Sequence, residues 1–227
     1  MISSATAEPF RSLFTLLAAL RYRKLSDVLG DSGYPHAVVR QRLGTRSRTA
    51  AQRRVLDAAL DLIADHGVSG TSLQMIADAM GVTKAAVYHQ FKTKDEIVVG
   101  VTELELAKLE EPLAAARAES DPARARKVLL TDVIDMAVTR RRWIRTLQND
   151  PIIIRLLGTH PPFREFIAEL YGVLQGEEDD TIARVTAALF SGAIAGSVVN
   201  PLLDDIDDET LRAALLQMTT RMLNLPD

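Results

Sequence analysis

The chain contains no cysteine, four histidines and a single tryptophan among its 227 residues. The absence of cysteine excludes a disulfide framework, an iron–sulfur cluster and a thiolate zinc site. The histidines at 36, 66, 89 and 160 do not pair at the spacing of metal ligands, so we expect no metal. A phosphate-binding loop, a nucleophile elbow and a dinucleotide fingerprint are also missing. We therefore expect no cofactor and no enzymatic activity.

An alternating apolar and polar pattern, which is typical of half-buried strands, is missing as well. From Arg48 onward the apolar residues recur with helical spacing; between 55 and 63 they stand at i, i+3, i+4, i+7 and i+8. Later helices are predicted at about 162–175, 178–199 and 208–223. We predict an all-α fold in three parts: an N-terminal extension over 1–45, a small three-helix domain over 46–95 and a larger helical domain over 96–227.

Residue types at the helix ends predict where several helices begin and stop. Gly67 is expected to end the first helix as a left-handed cap. Residues 71–74 are expected to open the second helix with a capping box. A long helix is predicted over about 93–118, and another begins at Pro122 and can continue as far as Gln148.

Two apolar segments bear on whether the chain meets a membrane. Residues 13–20 are preceded by one base, Arg11, and are not followed by a clean cleavage pattern, so we expect no secretory signal. Residues 185–203 are uncharged but rich in small residues, and we interpret them as a fully buried helix rather than a membrane span. We thus expect a cytoplasmic protein. Residues 1–45 fit an ordered extra helix, a flexible arm or an extension from an over-early start codon, and the sequence does not decide among these.

The formal net charge of −3 conceals an uneven distribution of charge. Residues 40–54 hold six arginines and no acid, whereas 176–210 hold nine acids and one base, Arg184. A basic end suits contact with phosphate while the acidic end stays away from it. The distribution indicates that the N-terminal third of the chain binds nucleic acid.

Residues 71–91 have the spacing of a helix-turn-helix. Ala77 is small where two helices would cross, and Gly81, four residues later, can supply the positive φ of a sharp turn. Thr83 can cap the next helix. Two apolar residues are expected to lock that helix against the first: Val82 and Val87. The helix and the basic run before this segment favour a DNA-reading role over an incidental helical hairpin.

The segment from about 48 to 99 resembles the DNA-binding domain of the tetracycline-repressor (TetR) family. Residue type and spacing agree at Ile76-Ala77, Gly81-Val82-Thr83, Val87-Tyr88, Phe91 and Lys94. The rest of the chain is similar to the family only in being helical and of suitable length. The resemblance implies a three-helix DNA-binding domain followed by a helical ligand-binding and dimerisation domain.

Carried over position by position, the resemblance implies how the motif meets DNA. Lys84, Ala85 and Ala86 approach base edges, the lysine as a donor to guanine or phosphate and the alanines against thymine methyl groups. Tyr88 and Lys94 correspond to phosphate contacts. Gln74 either reaches DNA or forms half of the capping box. The complete set of predicted DNA contacts is Arg48, Ser72, Gln74, Thr83, Lys84, Ala85, Ala86, Tyr88, His89 and Lys94.

A recognition helix of this length meets only a few base pairs, so such modules usually act as two-fold dimers. The small residues of 187–199 would let helices approach closely, although an intrachain core helix is an alternative. The resemblance implies that this helix and the one at 208–223 pair with their copies in a four-helix bundle. The predicted interface residues are Leu189, Gly192, Ala193 and Gly196.

The resemblance also implies an inducer pocket among the central helices, although large apolar residues at helical spacing are more often core. The run Arg140-Arg141-Arg142 fits either an anionic ligand or, as the favoured interpretation, an exposed helical face. The candidate pocket residues are Met136, Trp143, Leu147, Phe163, Phe166 and Tyr171.

The expected function is a dimeric repressor that binds a near-palindromic operator in double-stranded DNA and is released by a small apolar or amphipathic ligand. One alternative keeps the DNA binding without the sensor, as an activator or architectural protein. Another is an all-α enzyme or interaction module in which the turn motif is incidental.

Overall fold

The computed structural model describes Leu43, residues 48–175, residues 181–223 and Leu225, except for the Arg184 side chain. The predicted extension, apart from Leu43, lies outside the described residues, as do the arginines at 40, 42 and 46 and the acids at 177–180. Over the part of the chain that is described, the fold is all-α as predicted, without strands.

The described helices follow one another closely along the chain. They are α1 Ala50–Gly70, α2 Leu73–Met80, α3 Lys84–Gln90, α4 Lys94–Ala107, α5 Glu110–Ala118, α6 Pro122–Thr139, α7 Arg141–Asn149, α8 Pro151–Thr159, α9 Pro161–Gln175, α10 Thr181–Val198 and α11 Asp208–Met222, with a 3-10 turn at Pro201–Leu203 between the last two.

Helix α1 begins with a complete capping box. The Thr49 hydroxyl accepts from the Gln52 N–H, and the Gln52 side chain accepts from the Thr49 N–H, both at 3.1 Å. This satisfies backbone donors that would otherwise lack partners at a helix start. The predicted apolar stripe faces inward, with Val55, Ala59 and Ile63 at most 1 % exposed. Helix α1 packs through this face against α2 and α4.

The first helix is interrupted at Gly67, whose φ is 70° and ψ 171°. The predicted positive φ is therefore present, but the extended ψ is not that of a left-handed cap. After Gly67 the helix makes one more short turn and then ends at its cap, Thr71, whose N–H donates to the Val68 carbonyl at 3.3 Å. Glycine is required here because other residues rarely adopt this combination of angles.

Two helices are shorter than predicted. The helix expected over 93–118 is divided at Lys108 and Leu109 into α4 and α5. The helix from Pro122 ends at Thr139, because Arg140 leaves helical geometry with φ −116° and ψ 32°.

Three consecutive arginines at the turn between α6 and α7 pair with acidic residues of three different helices. Arg140 lies 3.6 Å from the Glu105 carboxylate of α4, and Arg141 lies 2.8 Å from the Asp208 carboxylate of α11. Arg142 pairs with Asp65 of α1. Arg140 and Arg142 have side chains 44 % and 58 % exposed, as expected for an exposed face, whereas Arg141 is half-buried. The three also form ion pairs, which join the start of α7 to α4, α11 and α1.

The hydrophobic core continues from α1 to the C-terminal helices. Its largest fully buried side chains beyond residue 95 come from α4, α5, α6, α8 and α9, and include Leu129, Ile134, Ile153, Phe163 and Phe166. Leu43 is also buried, and its N–H donates to the Glu110 carboxylate at 2.5 Å at the start of α5. The N-terminal helices are thus packed against the larger helical region.

Candidate nucleic-acid interface

The turn between α2 and α3 is sharp because of Gly81. This residue is left-handed, with φ 65° and ψ 33°, and no atom lies within 4 Å of the position that a Cβ would take. The Val82 N–H reaches back to the Ala77 carbonyl at 2.9 Å, and the Thr83 hydroxyl accepts from the Ala86 N–H at 3.2 Å. The turn and cap predicted for the motif are confirmed.

Helix α3 is held by one face only. Val87 is fully buried and packs with Ile76 and Ala77 of α2, while Phe91 covers the end of the helix at 6 % exposure. Val82 is 40 % exposed, so the prediction that it also locks the helix is wrong. The backbone of Val82 completes the turn, and its side chain points outward because Gly81 has already reversed the chain.

The opposite face of α3 is exposed. Tyr88 is 52 % exposed. His89 is also at the surface, and its Nδ1 lies 3.2 Å from the Gln90 Nε2. The other predicted base-reading positions form the same surface: Thr83, Lys84, Ala85 and Ala86. This face offers one flexible cation, two methyl groups, a phenol and an imidazole, which suits contact with base edges and phosphates.

Helix α2 is capped one residue later than predicted. The Ser72 hydroxyl accepts from the Met75 N–H at 3.2 Å, whereas the Thr71 hydroxyl donates to the Gly67 carbonyl at 2.8 Å. The Gln74 side chain donates to the Asp78 carboxylate at 2.7 Å and takes no part in a capping box. The predicted box is therefore wrong. Ser72 and Gln74 are both exposed at the N-terminal end of α2.

Lys92 is a further candidate residue for the interface, which the sequence analysis did not predict. Its ammonium lies 5.0 Å from the centre of the Tyr88 ring, within the range of a cation–π contact. The backbone N–H of Lys92 donates to the Glu96 carboxylate at 2.8 Å, and this bond fixes the segment between α3 and α4. The spacing of four residues between Tyr88 and Lys92 is a signal that could have found it.

Lys94 is half-buried and lies at the start of α4. Its ammonium donates to the Val68 carbonyl at 2.9 Å and to the Thr71 carbonyl at 3.2 Å. An ammonium has three donors, so two of the three are used to join α4 to the end of α1. The predicted phosphate contact has at most one donor available in this geometry.

Arg48 does not face outward as predicted for a DNA contact. Its guanidinium pairs with the Glu103 carboxylate of α4, and the two side chains are only 11 % and 7 % exposed. A buried carboxylate needs such a partner, because an unpaired charge is costly away from water. We therefore correct the prediction for Arg48. Arg53 and Arg54, on the outer side of α1, are exposed.

The candidate pocket residues of the C-terminal region lie mostly in the core. Phe163 and Phe166 are fully buried, and Leu147 is 8 % exposed. Such burial is expected if these residues belong to the hydrophobic core and do not line a pocket. Met136 is half-buried, and the hydroxyl of the half-buried Tyr171 lies 2.6 Å from the Ser191 hydroxyl.

Trp143 borders a cleft of about 330 Å³ between α7 and α1. The tryptophan itself is 3 % exposed. Leu60 and Ala64 of α1 line the same cleft, together with charged side chains at its rim. Within the described residues no group of three or more histidines or acids is placed to hold a metal ion.

Helix α10 carries an exposed apolar face. Ile182, Val185 and Leu189 are 72 %, 49 % and 66 % exposed and lie three or four residues apart, so they share one side of the helix. Of the predicted interface residues, Leu189 and Ala193 are exposed, Gly196 is half-buried and Gly192 is buried. On the neighbouring helix α11, Met218 and Met222 are 54 % and 66 % exposed.

The expectation of a fully buried helix is therefore wrong for the single chain, since only 24 % of the helix window 181–198 is buried. By length and composition alone α10 could cross a membrane, with a mean hydropathy of 1.4, but core helices of soluble proteins pass the same test.

Residues 55–101 match the family model described as "Bacterial regulatory proteins, tetR family". This stretch runs from the first buried residue of α1 into α4 and contains the whole helix-turn-helix. Residues 55–101 form a tetR-family helix-turn-helix domain. The resemblance drawn from the motif is thereby confirmed.

Two relatives whose names describe helix-turn-helix regulators of transcription match part of the chain. The transcriptional regulator AcrR of Shigella flexneri is 36 % identical over 93 residues, which are 40 % of this chain and 43 % of AcrR. The transcriptional repressor Rv1474c of Mycobacterium tuberculosis is 27 % identical over 103 residues, or 45 % and 54 % of the two chains. The chain thus matches about half the length of these relatives.

The likeness in three dimensions extends beyond the tetR-family domain. The crystal structure of AibR in complex with isovaleryl coenzyme A and operator DNA superposes with a TM-score of 0.53 at 24 % identity, covering 74 % of this chain and 97 % of AibR. At this identity the superposition establishes a shared fold for the C-terminal helices and nothing more.

Proposed function

We propose that the chain is a dimeric, cytoplasmic transcriptional repressor that binds an operator in double-stranded DNA and is released by a small molecule. The observation that carries the proposal is the exposed face of α3, held rigidly by Val87 and Thr83 inside a tetR-family domain. Nothing in the described residues suggests a catalytic constellation, and the proposal assigns the chain no enzymatic role.

The side chains of α3 and α2 divide between reading and positioning. Lys84 donates to guanine O6 and N7 or to a phosphate, and the methyl groups of Ala85 and Ala86 pack on thymine. Tyr88 and Ser72 donate hydroxyl protons to phosphates, which orients the domain without reading sequence. Because this face has few hydrogen-bonding groups, we propose that DNA shape contributes to its specificity.

A homodimer follows from the size of the reading face and from the surface of α10. One seven-residue helix contacts too few base pairs for useful affinity. The stripe formed by Ile182, Val185, Leu189 and Ala193, with the methionines of α11 beside it, supplies an apolar surface for a second copy. Two domains held about 34–36 Å apart would enter successive major grooves of a near-palindromic site.

The ligand is proposed to be a small apolar or amphipathic molecule. AibR, whose fold is shared, was crystallised with isovaleryl coenzyme A, so short acyl thioesters are the first class to test. A ligand releases DNA only if it binds the two conformations differently, with a coupling of about 1–3 kcal/mol in typical cases. Thermal unfolding in the presence of an acyl-thioester panel detects binding, because a ligand of the native state raises the melting temperature. Operator affinity with and without that ligand then measures the coupling.

The DNA-binding part of the proposal is tested by selecting duplexes from a random pool with the purified protein. We expect enrichment of a near-palindromic sequence and weaker binding at higher salt. Lys84→Ala should weaken binding and reduce the slope of log affinity against log salt by about 1. Arg155→Ala is the matched control, because Arg155 is exposed on α8, away from the helix-turn-helix.

Equal affinity for the selected and a scrambled duplex would contradict the proposal. Transcription in vitro from a promoter that contains the selected site then separates repression from activation. The dimer is tested by light scattering: Leu189→Glu should give monomers, whereas Leu202→Glu should not, because Leu202 lies in the 3-10 turn after α10, outside the apolar stripe of residues 182–193.

A further inference from the structure

Helix α7 and Asp150, the cap of α8, contact the C-terminal half of α1 at three points. Arg142, at the beginning of α7, pairs with Asp65. In the middle of α7 the Thr146 hydroxyl lies 3.4 Å from the Ala64 carbonyl, with the Ile63 and Arg142 carbonyls at 3.5 and 3.3 Å. At the end, a carboxylate oxygen of Asp150 accepts from the Val68 N–H at 2.8 Å. The C-terminal region therefore contacts the backbone of α1 directly.

The third contact occurs where α1 is interrupted. Residues 64 and 68 are four apart, which is the spacing of a helical hydrogen bond, and the break at Gly67 lies between them. Thr146 reaches toward the carbonyl of Ala64, and Asp150 accepts from the N–H of Val68. Both groups of the interrupted turn are thus approached by side chains of the C-terminal region.

Asp150 uses its two oxygens for different purposes. Oδ1 accepts from the N–H groups of Ile152 and Ile153 at 2.9 and 3.4 Å and caps α8. Oδ2 accepts from Val68 alone among the contacts described. One carboxylate therefore joins the first turn of α8 to the interruption of α1, and the two bonds need two separate acceptor oxygens.

The connection continues from Val68 toward the helix-turn-helix. The carbonyl of Val68 accepts from the Lys94 ammonium, which also donates to the Thr71 carbonyl. Thr71 immediately precedes Ser72, the cap of α2. Two backbone groups and one ammonium therefore connect the α8 N-terminus to the first residue of the helix-turn-helix.

We propose that Asp150 is the positioning residue through which the C-terminal region sets the pose of the helix-turn-helix. The proposal rests on the proposed DNA-binding function and adds the route by which that function is regulated. When Oδ2 holds Val68, the end of α1, Lys94 and the start of α2 move with α8. When this bond is lost, the end of α1 and the first turn of α2 open more often, and the helix-turn-helix no longer follows the C-terminal region.

Two substitutions separate the capping oxygen from the coupling oxygen. Asp150→Ser keeps an N-cap of good quality, but its short side chain does not reach Val68. Asp150→Asn is isosteric and has a single acceptor oxygen, so it satisfies α8 or Val68 but not both. Asn149→Ala is the matched control, because Asn149 is exposed and its side chain bonds only the Arg145 carbonyl of its own helix.

The experiment uses the full chain and two readouts. Amide hydrogen exchange is measured for Val68 and for residues 72–80, and affinity is measured for the selected operator and for a scrambled duplex of equal length. In Asp150→Ser we expect exchange at Val68 and at 72–80 to rise, and operator affinity to fall by about tenfold within the range of typical coupling. Binding to the scrambled duplex should stay unchanged, because phosphate contacts within each domain are intact.

Unchanged exchange at Val68 in both Asp150 variants would overturn the inference. So would an equal loss of affinity for both duplexes together with a lower melting temperature, since this result would make Asp150 only the cap of α8. If the wild-type protein selects no DNA, the proposed function fails. Exchange at 72–80, raised by Asp150→Ser but not by Asn149→Ala, then still supports the positioning role, and its absence overturns it.

Discussion

Gly67 and Gly81 both have positive φ, yet alanine should affect them to different degrees. Gly81, at φ 65° and ψ 33°, is left-handed, a conformation that costs other residues about 1–2 kcal/mol. Gly67, at φ 70° and ψ 171°, occupies a region that is essentially restricted to glycine, so the cost approaches about 3 kcal/mol. Sterics add little at either site, because the nearest atom to a new Cβ at Gly67 is the Asp150 carboxylate at 3.4 Å.

Substitution of Gly172 by alanine provides a control, because it is expected to change the stability of the protein in the opposite direction. It is exposed within α9 and nothing lies within 4 Å of the position of a Cβ. Alanine there should stabilise the protein by about 0.5–1 kcal/mol, because glycine loses more backbone entropy on folding. The same substitution is thus expected to be strongly destabilising at 67, moderately so at 81 and stabilising at 172.

The assay is urea and thermal unfolding followed by circular dichroism at one protein concentration, because the proposed dimer would unfold with concentration-dependent stability. For a chain of this size, Gly67→Ala should lower the melting temperature by about 6–12 °C. The reasoning is refuted if Gly67→Ala stays within about 0.5 kcal/mol of the wild type, the scale of neutral surface changes. It is also refuted if Gly81→Ala proves the more harmful of the two.

Three further predictions follow from buried and hydrogen-bonded groups. Arg48→Met or Glu103→Leu should each cost about 3–5 kcal/mol in urea unfolding, because the pair is nearly buried, and the double variant should cost less than either single variant. A double variant whose cost equals the sum of the two would contradict this. Hydrogen bonds from the Thr210 N–H and hydroxyl hold the pKa of Asp207 below its ordinary value of 3.8, so its contribution to stability is present above that value and lost as the pH falls through the native pKa. Asp207→Asn keeps the cap but does not titrate, so its melting temperature should fall less on acidification than that of the wild type, and equal falls would refute the assignment. Phe163→Ala should cost about 3–5 kcal/mol while Leu202→Ala costs less than about 0.5, since one side chain is fully buried and the other 83 % exposed; a small effect at Phe163 would instead favour a loosely packed pocket.

Features that depend on a few neighbouring residues were predictable. The turn at Gly81, the cap at Thr83 and the start at Asp121 each involve groups no more than five positions apart. The same holds for the start of α4, where Thr93 accepts from the Glu96 N–H. Such local rules were sufficient to find the helix-turn-helix and the all-α fold.

Features that depend on a distant partner were not predictable. Arg48 belongs to a basic run, but its partner Glu103 lies 55 residues away. The break at Arg140 likewise depends on where α4 and α11 place their carboxylates. Even the choice between Thr71 and Ser72 as cap depends on the interruption at Gly67, whose carbonyl takes the Thr71 hydroxyl. A sequence pattern shows that a side chain is charged or polar but not what it meets.

The exposed surface of α10 was predictable only in part. Its small and apolar residues predict close packing, but they do not say whether the partner is the same chain or another. In the single chain Leu189 stays exposed while Gly192 turns inward. Which of the predicted interface residues face outward therefore depends on the rotation of the helix, which the composition does not contain.

The position of Trp143 gives the protein an intrinsic optical reporter. It is the only tryptophan in the sequence, so emission excited at the red edge of the absorption band comes from one known site. Because the indole is nearly inaccessible and borders the cleft between α7 and α1, its spectrum should be blue-shifted and poorly quenched by iodide. Any effector that separates these two helices would admit water to the indole, and a red shift would record the event without a label.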